Sequence, residues 1–329
     1  MEQRLCSVEE AGRLIESGSP LLIAGDEALL KKLPAGAWIG GTIPYFVGQE
    51  GGQCTNELVF VTVLPDYAKD ITINVYDKQS LRTVYVDGPE NGFSFIIIPG
   101  MSETHFSFAL NAPGYPTFAT SPLIGWIAGV NLDMLGHETP KIVNGQSLHM
   151  LEDGAVVMHV SLPPGKTADV GIINIFRQGE GVDLQFDQSG FSVREASVDG
   201  KTVDFAKYIE SNEIDTKLPL VADYAGAMIN TSFQKVDTQE NEVKFYSPVF
   251  EGARYRLAAP TLSYTEEFRS QVPARLEGQV IFSCNCILNY LYSELEGKKT
   301  GEFVGPITFG EIAYQLVNQT LVYLQVIDT

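Results

Sequence analysis

The apolar positions of this chain fall into many short runs, most with the two-residue period of half-buried strands rather than the 3.6-residue period of helices. Runs at 58–63, 71–76, 83–86, 93–98 and 105–110 follow one another closely, separated by Pro, Asp and Gly positions that read as turns. Further strands are predicted at 21–24, 154–160, 170–176, 182–186 and 320–327, the last a β-branched run. The pair 242–247 and 254–258, around Pro248 and Gly252, reads as a hairpin. Helices are few. Ser7 with Glu10 three residues later forms a capping box that opens a helix to about residue 16. Segments 26–33 (stopped by Pro34), 203–210, 223–233 and 264–271 are the other helix predictions, and 111–122, with three prolines and a glycine, is a loop long enough to carry function.

From residue 279 the pattern is the most informative. Val280, Ile281 and Phe282 are a short apolar run that ends in small polar residues and feeds a helix over 286–296. Ile287, Leu288, Leu291 and Leu295 predict an inward stripe, with Asn285, Asn289 and Tyr292 as a polar line beside it. Gly310 closes a turn before Glu311. The whole pattern predicts an α+β fold of two sheet-rich lobes, with mixed β-sheets covered by a few helices. The charged stretch 197–217 is the expected join, which divides the chain into 1–197 and 198–329.

Composition narrows the function. The 329 residues carry 41 acidic and 22 basic side chains, a formal net charge of −19. Such a field repels phosphate backbones and anionic lipid surfaces, so nucleic acid is not an expected partner. No apolar run approaches the roughly 20 residues of a membrane span, and residues 1–19 lack the apolar run of a secretory leader. Four scattered cysteines suit a reducing compartment, so the expectation is a cytoplasmic protein with no membrane insertion.

Candidate chemistry is sparse. The glycines at 40, 41, 48, 51 and 52 match neither phosphate-loop spacing. The four histidines make no metal motif, and Cys284 with Cys286 supplies only two ligands, so neither a metal nor a cofactor is expected. Cys284, before a predicted helix, reads as a small buried hydrophobe, a ligand contact or a thiol activated by the helix N-terminus. Glu311 is a carboxylate for a ligand ammonium or for backbone amides.

Ser283, Cys284 and Asn285, followed by Phe309-Gly310-Glu311-Ile312 and by Asn318 and Thr320, resemble the C-terminal part of the FIST domain, a sensory module of signalling proteins. Gly40, Gly41 and Thr42 are similar to that family's first glycine turn, and 122–129, 143–145 and 154–160 to its later motifs, with Trp126 where a second glycine is usual. The resemblance implies a FIST N-terminal-like domain at 1–197 and a C-terminal-like domain at 198–329. It further implies non-catalytic sensing of a small ligand, amino-acid-like molecules among the candidates, in a site built from Gly41, Thr42, Trp126, Cys284, Asn285, Asn289, Gly310 and Glu311, with output through a signalling partner protein. The family's helix arginine is missing and Asn289 stands there, which favours a neutral or cationic ligand. A thiol-dependent hydrolase or transferase using Cys284, and a scaffold without ligand, are the alternatives.

Overall fold

Parallel strands cannot be joined by a tight turn, and three parallel pairs each enclose a helix. Leu21–Gly25 runs parallel to Trp38–Thr42, with the helix Glu27–Leu30 between them. Gly92–Pro99 runs parallel to Leu123–Ala128 across the helix Glu103–Asn111. Gln279–Cys286 meets Gly305–Thr308 in parallel after the helix Ile287–Tyr292. Most other ladders are antiparallel, so the sheets are mixed and the fold is α+β, as the patterning predicts.

The computed structural model describes residues 3–224, 227–261, 263–273, 276–292 and 296–329. The chain forms two compact units, one of Met1–Ile173, Val272–Leu316 and Leu321–Thr329, the other of Asn174–Gln271 and Val317–Thr320. The boundary expected at 197/198 falls inside the second unit, within the strand Glu195–Val198, which pairs with Lys201–Asp204.

In the first unit, Glu311–Ala313, Leu123–Ala128, Gly92–Pro99, Ala155–Ser161 and Lys69–Tyr76 lie side by side in one sheet. Gly92–Pro99 is buried along its whole length, the signature of a central strand covered on both faces. A second sheet runs Lys166–Ile173, Leu321–Asp328, Gln279–Cys286, Gly305–Thr308, Tyr45–Gly48, Gly51–Cys54. Phe282 of the second sheet stacks on Trp126 of the first at 5.6 Å between centroids and meets Phe95 edge-on at 5.4 Å, so these faces share one core. The second unit packs two further sheets and the helix Phe205–Ser211 around Phe186, Phe205, Phe245 and Tyr255. Residues 317–320 belong to it through polar contacts: Asn230 Nδ2 donates to the Asn318 carbonyl at 3.0 Å, and Asn174 and Asn230 exchange a pair of amide bonds at 3.0 Å.

Several local expectations are corrected. Residues 105–110, read as a strand, are helical: Ser102 caps the helix by accepting from the His105 N–H at 3.1 Å, and the crossover between parallel strands needs a helix there. Segment 83–86 likewise follows a 3₁₀ turn at Ser80–Thr83 rather than forming a strand. The helix predicted at 223–233 is a hairpin of Leu220–Tyr224 with Ala227–Thr231, and Ala225 and Gly226 lie outside the described residues. Glu242–Val249 and Tyr255–Leu257 do not pair with each other; the first joins Gly190–Val193 and Phe233–Asp237, the second Leu220–Tyr224. By contrast, the capping box at Ser7 forms, its Oγ accepting from the Glu10 N–H at 3.2 Å.

Candidate functional site

The strand Gln279–Cys286 continues through the residues that looked like a turn. Cys284 is therefore a mid-strand residue, opposite Val322 on the neighbouring strand, and side chains alternate across the sheet from one residue to the next. Cys284 falls on the Phe282 side, where its thiol donates to the Gly125 carbonyl at 3.5 Å. Burial pushes this thiol well above its usual range, and the nearby Glu311 carboxylate adds to the shift. A thiolate is disfavoured there, whereas the turn reading had suggested activation by a helix end.

Asn285 falls on the other face and organises the start of the helix. Its Oδ1 accepts from the Cys286 N–H at 2.8 Å and from Asn289 Nδ2 at 2.9 Å. The helix Ile287–Tyr292 turns differently from its predicted stripe. Ile287, Leu288, Asn289 and Tyr290 are buried, while Leu291 is 44% exposed and Tyr292 is 37% exposed. Leu295 lies outside the described residues. The Asn285–Asn289 bond supplies the reason: it draws a polar side chain into the interior and rotates Leu291 outward.

Thr308 links the Asn285 backbone to Glu311. Its Oγ1 lies 3.3 Å from the Asn285 carbonyl, 3.1 Å from the Gly310 carbonyl and 3.4 Å from Glu311 Oε1, so one hydroxyl proton serves three acceptors. Glu311 is fully buried, and its strand is antiparallel to Leu123–Ala128 with Glu311 opposite Trp126. Directly paired residues project to the same face, so the carboxylate and the indole share one side of that sheet. Trp126 is a mid-strand residue, not part of a turn. Its buried Nε1 has no hydrogen-bond partner. Gly310 is held by its carbonyl, which accepts from the Ile127 N–H at 2.8 Å.

Gly41 belongs to this group for a steric reason. A Cβ at position 41 would sit 2.7 Å from Ile97 Cγ2 and 3.1 Å from Trp126 Nε1, so the indole needs the glycine beneath it. Thr42 takes another direction, its Oγ1 accepting from the Lys141 N–H at 2.9 Å. The fold thus brings Gly41, Trp126, Cys284, Gly310 and Glu311 together, places the Asn285 and Asn289 amides on the other face of the strand Gln279–Cys286, and assigns the Thr42 side chain to its own strand connection. Sequence reasoning passed over Thr308, the residue that links the two halves of the cluster; its signal was a polar β-branched residue just before Phe309-Gly310-Glu311. A void of about 10 Å³ lies against Ser283, Cys284 and Asn285 under Thr300, Phe303 and Val304, space for about one water molecule. Among the described residues no group of three or more His, Cys, Asp or Glu side chains is placed to hold a metal ion.

Residues 6–327 match the model of a family of unknown function, DUF6976. The chain belongs to this family. Comparison with curated proteins returns no match. The DUF6976 match spans both compact units and every residue of the buried polar cluster. No helix among the described residues of this DUF6976 protein is long and apolar enough to cross a membrane.

Proposed function

We propose that this protein is a cytoplasmic sensor that binds a small polar, amino-acid-like molecule at the Glu311–Trp126 cluster without chemistry at that cluster, and that it passes its signal to a partner protein. The observation that carries this reading is the buried, unpartnered indole N–H of Trp126 on the same face as the buried Glu311 carboxylate. Buried polar groups are nearly always hydrogen-bonded, and an exception calls for a missing partner. A ligand carboxylate or carbonyl would accept from Trp126, and a ligand ammonium would meet Glu311. The void of about 10 Å³ beside Cys284 is smaller than any amino acid and is not lined by Trp126 or Glu311, so binding requires the packing around these two side chains to open. The resemblance of 283–285, 309–312 and 318–320 to FIST motifs supports the same function. The Cys284 enzyme reading is weakened by a thiol that burial holds protonated.

The test is a thermal-shift screen of amino acids, amines and dicarboxylates with the wild type and Glu311→Gln. A ligand at 100 times its Kd stabilises by about 2.7 kcal/mol. A neutral or cationic amino acid should shift the wild type, and losing the charged hydrogen bond in Glu311→Gln should cost about 1.5–3 kcal/mol of binding. Stabilisation by a dicarboxylate that is indifferent to Glu311, or by nothing in the panel, refutes the assignment and leaves a scaffold role.

A further inference from the structure

A second cluster of reactive side chains lies on the strands Gly92–Pro99, Ala155–Ser161 and Lys69–Tyr76, apart from Glu311 and Cys284. Ser94 and His159 are directly opposite each other across the ladder, and Ser94 Oγ is 2.7 Å from His159 Nδ1. On the far side of the ring, His159 Nε2 is 3.0 Å from the Tyr76 hydroxyl. Tyr76 donates to Asp87 Oδ2 at 3.0 Å, and Thr83 Oγ1 donates to the same carboxylate oxygen at 2.6 Å. The directions are forced along the chain. Because the Tyr76 proton goes to Asp87, the Tyr76 oxygen accepts from His159 Nε2–H, which leaves Nδ1 as the acceptor for the Ser94 hydroxyl. Burial lowers the His159 pKa, with the Asp87 charge opposing, so the ring is held as a neutral base. Burial also pushes Tyr76 up to about 12, which keeps it a donor.

The geometry points to Ser94 as an activated nucleophile, with His159 as its general base and Tyr76 and Asp87 as positioning residues, for a small ester or thioester. Serine, imidazole and an orienting acid in series are the parts that acyl transfer needs. Three features exceed what a merely satisfied core histidine requires. The relay ends on Asp87, which is exposed, so charge developing on the ring is matched at the surface rather than in the core. Ser94 is itself buried, and its Oγ and Ser121 Oγ lie 3.6 and 3.4 Å from the point where a Cβ would stand on the half-buried Gly88. Ser121 Oγ is a buried hydroxyl with no hydrogen-bond partner, a donor placed beside the nucleophile where an oxyanion would form. The loop that bears Ser121 also holds Thr117 at φ 55° and Ala119 at φ 58°, left-handed conformations that non-glycine residues seldom adopt and that collect near functional sites.

The step balances without a further reagent. Ser94 Oγ bonds to the acyl carbon as its proton passes to His159 Nδ1. The tetrahedral adduct then expels the alcohol or thiol, which takes that proton back. Water, deprotonated by the same nitrogen, hydrolyses the acyl-serine to a carboxylic acid and restores Ser94.

The test treats the intact protein with a small alkyl fluorophosphonate and reads intact mass and the modified peptide. One adduct per chain on Ser94 is expected, absent from Ser94→Ala and formed at least 100-fold more slowly in His159→Gln. Tyr76→Phe keeps the ring that packs edge-on against His159 at 6.3 Å. It should therefore label about tenfold more slowly while still fully folded at the assay temperature, a change that loss of packing alone would not produce. Should His159→Gln fail to fold, Ser94→Ala and Tyr76→Phe decide the matter. No adduct on Ser94, an adduct on another residue, or equal rates in wild type and Tyr76→Phe overturns the assignment.

Discussion

His105 provides a quantitative test of how this fold stores pH-dependent stability. The ring is buried at the first turn of the helix Glu103–Asn111, stacked on Phe106 with centroids 5.3 Å apart. Its Nδ1 accepts from the Met101 backbone N–H at 3.1 Å, so that nitrogen cannot carry a proton in the native state. Burial lowers its pKa to about 4, from an ordinary value near 6.5. The folded pKa is depressed, so the unfolded chain binds the proton first as pH falls. The contribution is complete above about pH 6.5 and is lost on descending towards pH 4. At about 1.36 kcal/mol per pKa unit, the full loss is on the order of 3 kcal/mol. Many carboxylates titrate in the same range and His159 is shifted in the same direction, so the measurement must be a difference. Urea unfolding at pH 7 and pH 4 of the wild type and His105→Gln isolates it, because the glutamine carbonyl can still accept from Met101. The wild type should lose about 3 kcal/mol more than the variant, and NMR titration should find the His105 ring neutral down to about pH 5. A His105 that titrates near 6.5, or identical pH dependence in the two proteins, would show that the ring is not held neutral by its burial.

Two further outcomes follow from the buried polar cluster. Gly41→Ala puts a methyl 2.7 Å from Ile97 Cγ2 and should destabilise by about 1–3 kcal/mol in urea unfolding, whereas an unchanged midpoint would mean the indole has room to shift. Cys284 should resist iodoacetamide at neutral pH until denaturant is added, while the exposed Cys54 reacts in the native state; rapid native labelling of Cys284 would contradict its burial.

What the sequence determined by itself were the features set by neighbours in the chain. The Ser7 cap, the strand at 93–98 and the closing strand depend on side chains a few residues apart, and the general α+β character depends on their sum. The tertiary structure alone decided the features that depend on strand partners. Phe106, Phe108 and Leu110 alternate like a strand, yet the segment is a helix because Gly92–Pro99 and Leu123–Ala128 run parallel and must be bridged by a crossover. Leu291 has a core-like spacing yet faces outward, since the Asn285–Asn289 bond fixes which side of the helix turns inward. The candidate residues were legible as types, but their placement was not. Cys284 and Trp126 became mid-strand residues through ladders with strands far away in sequence, and Ser94 met His159 only because antiparallel pairing set residues 65 apart side by side. Register between distant strands is chosen by burial of whole faces, and no local pattern carries that information.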